Sequence, residues 1–100
     1  MKNLSDWLVG RTVVAIDSVE DYLQLKMDDG GVLNIYNPSK ISREKETFYS
    51  RSIQEVVLND LEVVLQFGSD DSIRISLRPE DYASPEAFSY CSKTDEWIVG

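Results

Sequence analysis

The apolar positions change their spacing once near the start of the chain and then keep the new spacing. In "LSDWLVG", Leu4 to Gly10, residues Leu4, Trp7 and Leu8 fall on one side of a helical turn. Ser5 or Asp6 is suited to cap that turn, and Gly10 is suited to end it. From Arg11 onward the apolar residues recur at every second position. Val14 and Ile16 alternate with Ala15 and Asp17; Leu23, Leu25 and Met27 alternate with Gln24 and Lys26; Leu33 and Ile35 alternate with Asn34 and Tyr36. Successive side chains of a strand point to opposite faces, so a period of two predicts three half-buried antiparallel strands. "DDGG" joins the second to the third. Asp-Gly and Gly-Gly reach positive φ at little cost, which marks a hairpin.

The same pattern returns in the second half. "IQEVVLND", "LEVVLQF" and "SIRISL" each read as a strand. At an offset of about forty residues, Leu23, Leu25 and Met27 fall on Val63, Leu65 and Phe67, while Leu33 and Ile35 fall on Ile73 and Ile75, and Ile16 on Val56. This predicts a pseudo-repeat within one domain spanning residues 1–100: two three-stranded meanders, at about 11–38 and 52–79, each with one apolar face. Two such faces hide one another if the sheets pack as a sandwich or curl into a small barrel. The expected fold class is therefore mainly β, a β-rich α+β chain with a short N-terminal helix and a helical turn near 79–91.

That turn is predicted by "SLRPEDYASPEAFSYC". Pro79 suits the first position of a helix, with Glu80 and Asp81 favoured there by charge. Ser84 as N-cap, Pro85 and Glu86 repeat the device, and Phe88 and Cys91 then point inward together. "DEWIVG" reads as a last short strand, with Trp97 or Ile98 and Val99 as apolar cover. Between the two halves, "PSKISREKETFYSR" is the one net-positive segment. It reads as a solvated loop or a charge-guarded edge strand, with Phe48 and Tyr49 turned to the core.

Charge changes the picture from fold to partner. Eighteen acidic against ten basic residues give a formal net charge of −8. Such a chain repels phosphate, so no nucleic acid is expected as a partner. No apolar run is long enough to span a bilayer, and "MKNLSDWLVG" breaks the apolar stretch that a secretory signal needs, so no membrane is expected and the cytoplasm is. A single cysteine, which forms no internal disulfide, agrees with a reducing compartment.

The absence of histidine excludes Ser-His and Cys-His nucleophile pairs and every histidine metal site. Asp28–Asp29 and Asp70–Asp71 lack the alternating ligand spacing of a calcium loop and read as turn residues. Glu55 and Glu62, beside apolar runs, read as solvent-facing strand residues rather than as a raised-pKa acid. No catalytic residue, metal or cofactor is expected. What stands out is Glu80, Asp81 and Glu86 within seven residues of one another, beside Tyr82. A rigid aromatic among carboxylates makes a patch for a lysine- or arginine-rich protein.

The phrase Leu77, Glu80, Asp81, Tyr82, Pro85, Glu86 and Ala87, an L-x-x-E-D-Y-x-x-P-E-A pattern, together with "DDGGVLNIYNP", resembles a group of small acidic bacterial proteins. Some of these look like immunity proteins, encoded beside secreted toxins that they bind and block. The resemblance covers the second half best. It implies a non-catalytic protein-binding module whose partner is a basic toxin. Two other expectations stand beside it: a self-associating structural or assembly domain, a homodimer formed through sheet edges, and, more distantly, a small-ligand binder in a barrel mouth.

Overall fold

The computed structural model describes residues 4–19, 22–68, 70–82, 85–92 and 97–99. Helix α1 (Leu4–Leu8) opens the chain. Leu4 and Leu8 are buried, and Trp7 packs on the core edge-on to Tyr90, with ring centroids 5.9 Å apart. Ser5 and Asp6 lie inside the helix rather than before it. Gly10 takes φ +90°, the left-handed residue that ends a helix. Arg11 Nε caps the freed carbonyl of Trp7 at 3.3 Å.

Strands β1 (Thr12–Val19), β2 (Tyr22–Met27) and β3 (Val32–Ile35) form the first meander. After β4 (Ser39–Ile41), a 3-10 turn over 45–48 and β5 (Arg51–Ser52), the second meander follows as β6 (Glu55–Leu58), β7 (Glu62–Gln66) and β8 (Ser72–Ser76). A 3-10 turn over Pro79–Asp81 leads to β9 (Phe88–Cys91) and β10 (Trp97–Val99). A six-stranded sheet has the order β10-β9-β3-β2-β1-β5, and a four-stranded sheet the order β4-β8-β7-β6. All pairings are antiparallel. The two sheets stay open rather than closing into a barrel, so the sandwich is the form adopted.

One core joins them. Leu25, Met27, Leu33 and Ile35 of the first sheet meet Val63, Leu65, Phe67, Ile73 and Ile75 of the second, all buried. Phe48 stands edge-on to Phe67, 4.9 Å between centroids, and Tyr49 packs beside it, as expected of both. The opposite face of the six-stranded sheet carries a polar row in register, Gln24–Asn34–Ser89, linked by side-chain hydrogen bonds of 3.1 and 3.4 Å.

Three expectations are corrected. In β1 the alternation does not run through Val14: a bulge between Val13 and Ala15 turns Val13 and Ile16 inward and leaves Val14 exposed. A bulge adds one residue to one strand, so the inward set shifts by one position at that point. Residues 88–91 are a strand and not a helix. Phe88 and Tyr90 alternate into the core, Cys91 is only partly buried, and the free edge of β3 gains a partner. The helical turn is thus confined to Pro79–Asp81; Ser84, the expected second cap, lies outside the described residues. Trp97 is 60% exposed and supplies no cover; the side chains of Ile98 and Val99 lie outside the described residues.

The β2–β3 turn is fitted closely to Tyr90. Gly31 is buried, and a Cβ built there would lie 2.9 Å from Tyr90 Cζ and closer still to its hydroxyl. The ring is fully buried and held by Trp7, so it has no free direction in which to give way. Burial, with the Asp29 charge second, pushes the Tyr90 hydroxyl above its ordinary pKa. Gly31→Ala is therefore expected to destabilise the fold by about 1–3 kcal/mol, the usual range for overpacking. Urea unfolding checks this: an unchanged midpoint would show that the turn has room to spare.

Candidate functional site

The end of β8 is where sequence-predicted site residues meet a concave surface. Arg78 is extended, and Pro79 then starts a single 3-10 turn. Ser76 Oγ accepts from the Arg78 N–H at 3.2 Å and donates to Asp81 Oδ2 at 2.5 Å. Asp81 is thereby folded back on the strand it follows. Glu80 is left fully outside, and Tyr82 is 37% exposed. Glu86 is half-buried, beside Ala87, whose carbonyl accepts from the backbone N–H groups of Tyr36 and Asn37 at 2.8 and 3.1 Å. Of the four predicted residues, then, Glu80 and Tyr82 present themselves to solvent, while Asp81 holds the turn.

Asp81 also lines a groove of about 730 Å³ on the outer side of the four-stranded sheet. Its floor is formed by Lys40 of β4, Arg74 and Ser76 of β8 and Glu62 of β7; Asn59, Asp60 and Leu61 of the β6–β7 turn, with Arg78, form its rim. The turn is set by Asn59, whose Oδ1 accepts from the N–H groups of Leu61 and Glu62 at 2.8 and 3.0 Å. Asparagine suits a turn for this reason. Arg74 meets Glu62 at 2.7 Å across the floor. Buried Asn37 fastens the groove from below, its Nδ2 donating to the Ser76 carbonyl at 2.8 Å. The groove carries both signs of charge and opens to solvent, which suits contact with another surface. Sequence spacing alone does not join Lys40, Arg74 and Arg78 into one site, but all three line this groove. The signal for two of them is present in "SIRISLR", where residues 74, 76 and 78 share a face.

The second cluster centres on Asp71, 8% exposed. Arg51 donates to Asp71 Oδ2 and to the Phe67 carbonyl. Arg43 Nε lies 2.6 Å from Asp71 Oδ1, an ionic contact without hydrogen-bond alignment. Two arginines of the net-positive segment thus converge on one turn acid. The hydrogen bond from Arg51 above all, with the nearby Arg43 charge, holds the Asp71 carboxyl below the ordinary aspartate pKa against its desolvation. Asp29 behaves as a turn residue, its Oδ1 accepting from the Gly31 N–H at 2.9 Å, and pairs with Arg11 at 3.1 Å, while Asp28 Oδ1 accepts from the Thr12 N–H at 3.3 Å. Among the described residues there is no group of three histidine, cysteine, aspartate or glutamate side chains placed to hold a metal ion, and no helix long and apolar enough to cross a membrane.

Comparison with family models, curated proteins and solved structures finds no match to this chain.

The lowered pKa fixes a sign. A carboxyl ionised more readily in the folded chain adds stability above the ordinary aspartate pKa, and that stability fades as pH falls through the depressed value. Asp71→Asn is expected to lower the melting temperature at neutral pH and to flatten the acid limb, so that the two proteins converge at low pH. Thermal unfolding followed by circular dichroism across that range is the check. Parallel curves for the two proteins would mean that Asp71 carries no linked proton.

Proposed function

We propose that this chain is a non-catalytic acidic module that binds another protein, and that its specific form is an immunity protein covering a basic toxin. The observation that carries this reading is how the positive charge is distributed. The net charge is −8. Arg43 and Arg51 are drawn to Asp71, Arg11 to Asp29, Lys26 to Asp17 and Arg74 to Glu62. Within the net-positive segment two of the four cations, Arg43 and Arg51, are thus paired with an acid, and exposed acids such as Glu44, Glu46, Asp60 and Glu80 contribute to the outward field that the net charge sets.

That field steers a basic partner toward the chain over a distance of about a Debye length, roughly 8–10 Å at ordinary salt. Glu80 and Tyr82, next to the groove, combine a carboxylate with a half-open aromatic, a pairing that suits an arginine- or lysine-bearing surface. The lack of any histidine, and the use of Asp71 and Asp81 as structural ties, support a binding role over a catalytic one.

The test is an affinity pull-down from the source cell with tagged wild type and with a Glu80→Lys/Tyr82→Ala variant, at low and physiological salt. Both side chains are exposed, so the variant is expected to fold within about 0.5 kcal/mol of wild type. One basic protein recovered in near-equal amount, lost as salt rises and weakened at least tenfold by the variant, is the expected outcome. Recovery of the tagged protein alone at both salts would sink the reading. Equal retention by the variant would remove Glu80 and Tyr82 from the interface.

A further inference from the structure

The sheet edges are guarded unequally. In the four-stranded sheet, β4 places Lys40 at its centre, and a lysine there discourages pairing with another sheet. The edges of the six-stranded sheet, β5 and β10, are two and three residues long, and beyond β5 the side of β1 is bordered by Ser50, whose N–H donates to the Val13 carbonyl at 2.7 Å, and by Tyr49, whose hydroxyl donates to the Ile16 carbonyl at 3.2 Å. The remaining edge, β6, reads Glu55-Val56-Val57-Leu58, with no charge after its first residue. Val57 is 39% and Leu58 60% exposed. An apolar edge strand of this kind is a template for another strand.

Its phase and register select the occupant. Asn59 N–H donates to the Glu62 carbonyl at 3.1 Å, in line with the Val57–Val64 pairing of β6 with β7. On an antiparallel ladder hydrogen-bonded and non-bonded pairs alternate, so Val57 faces β7 and the N–H and C=O groups of Val56 and Leu58 face the open edge. A second β6 laid antiparallel about Val57 sets Val56 opposite Leu58 and Leu58 opposite Val56, each pair exchanging both backbone bonds. Val57 meets its own copy, Glu55 meets Asn59, and Gln54 meets Asp60. Each acid thus faces an amide, and no like charges are opposed. Sliding the symmetric pairing by one step sets Glu55 against Val57 in one direction and Asp60 against Val56 in the other. Of these three symmetric registers, the one about Val57 sets each acid against an amide.

We propose that β6 is the contact for a second copy of this chain, which joins two four-stranded sheets into one continuous sheet about a twofold axis at Val57. This is independent of the acidic-module reading and responds to salt in the opposite sense. Two chains of charge −8 repel at long range, so screening tightens this contact and loosens one with a basic partner.

Sedimentation equilibrium of the whole chain, from micromolar to millimolar and at low and high salt, tests it. A reversible dimer that tightens with salt, and that Leu58→Lys weakens at least tenfold, is expected. A cross-linking measurement stands beside it in case that variant misfolds. Across a non-bonded antiparallel pair the Cα atoms lie about 4.5 Å apart, within the roughly 4.4–6.8 Å that a disulfide spans. Under mild oxidation Val57→Cys should form a dimer joined through the two introduced thiols, as identified by mass spectrometry. Val14→Cys, 49% exposed on the other sheet, should not. A monomer at every concentration and salt, a dimer indifferent to Leu58→Lys, or equal cross-linking by the two cysteine variants would each overturn the proposal.

Discussion

Neither meander is a stable object until the other covers it. Each is a short antiparallel sheet with one apolar face, and such a sheet needs a second layer. The chain meets this by crossing between layers four times, at 36–38, 42–50, 53–54 and 77–87. Each crossing brings polar backbone near the core, where every N–H and C=O requires a partner. The structure answers locally. The Ile53 carbonyl accepts from Gly10 N–H at 2.8 Å, the Ala87 carbonyl serves both Tyr36 and Asn37, and the Tyr49 hydroxyl donates to the Ile16 carbonyl at 3.2 Å. The groove beside β8 is a by-product of this economy. It lies where one crossing leaves the four-stranded sheet and Asn37, from another, is tied beneath it.

Charge is arranged by the same need. Asp71 sits at the β7–β8 turn, where its backbone carbonyl accepts from Phe67 N–H at 2.9 Å while its carboxylate is taken out of water. A buried carboxylate is costly unless paired. Arg43 and Arg51, brought alongside by the connection between β4 and β5, supply the pairing. This tie fastens that connection to the hairpin it crosses.

The period-two pattern made most of the fold legible. Leu23, Leu25, Met27, Val63, Leu65, Phe67, Ile73 and Ile75 all turn inward, and "DDGG" is a hairpin turn with Gly30 at φ +91°. Hidden from sequence were features in which tertiary contacts override local preference. The bulge in β1 leaves no mark in "TVVAI", because Val13 and Val14 are the same residue in different environments. "SPEAFSYC" carries genuine helix-start signals. The open edge of β3 offers Phe88 and Tyr90 a buried strand position, and that gain decides for the strand. At the candidate site, Glu80 and Tyr82 were legible as exposed groups. The role of Asp81 was not, since a carboxylate bound by a serine five residues back looks the same in sequence as one facing solvent. The Asp71 cluster required knowing that Arg43, Arg51 and the β7–β8 turn converge.

The apolar edge at β6 follows from how the two halves differ. In the first meander β3 is flanked by β9, while β1 pairs with β5 at Thr12 and Val13 and is bordered further along by Tyr49, whose hydroxyl donates to the Ile16 carbonyl. The second meander gains only β4, on the side of β8, and β6 is left as a border. Elsewhere the chain protects its borders by brevity or by Lys40, yet at β6 it places three consecutive aliphatic residues. The charge of −8 protects that border at a distance without altering its local fit. Long-range repulsion keeps copies apart when dilute and at low salt, while a twofold pairing about Val57 occupies the β6 edge of each copy and leaves it closed to a further strand. An apolar edge strand can then persist in this chain without becoming a site of open-ended aggregation.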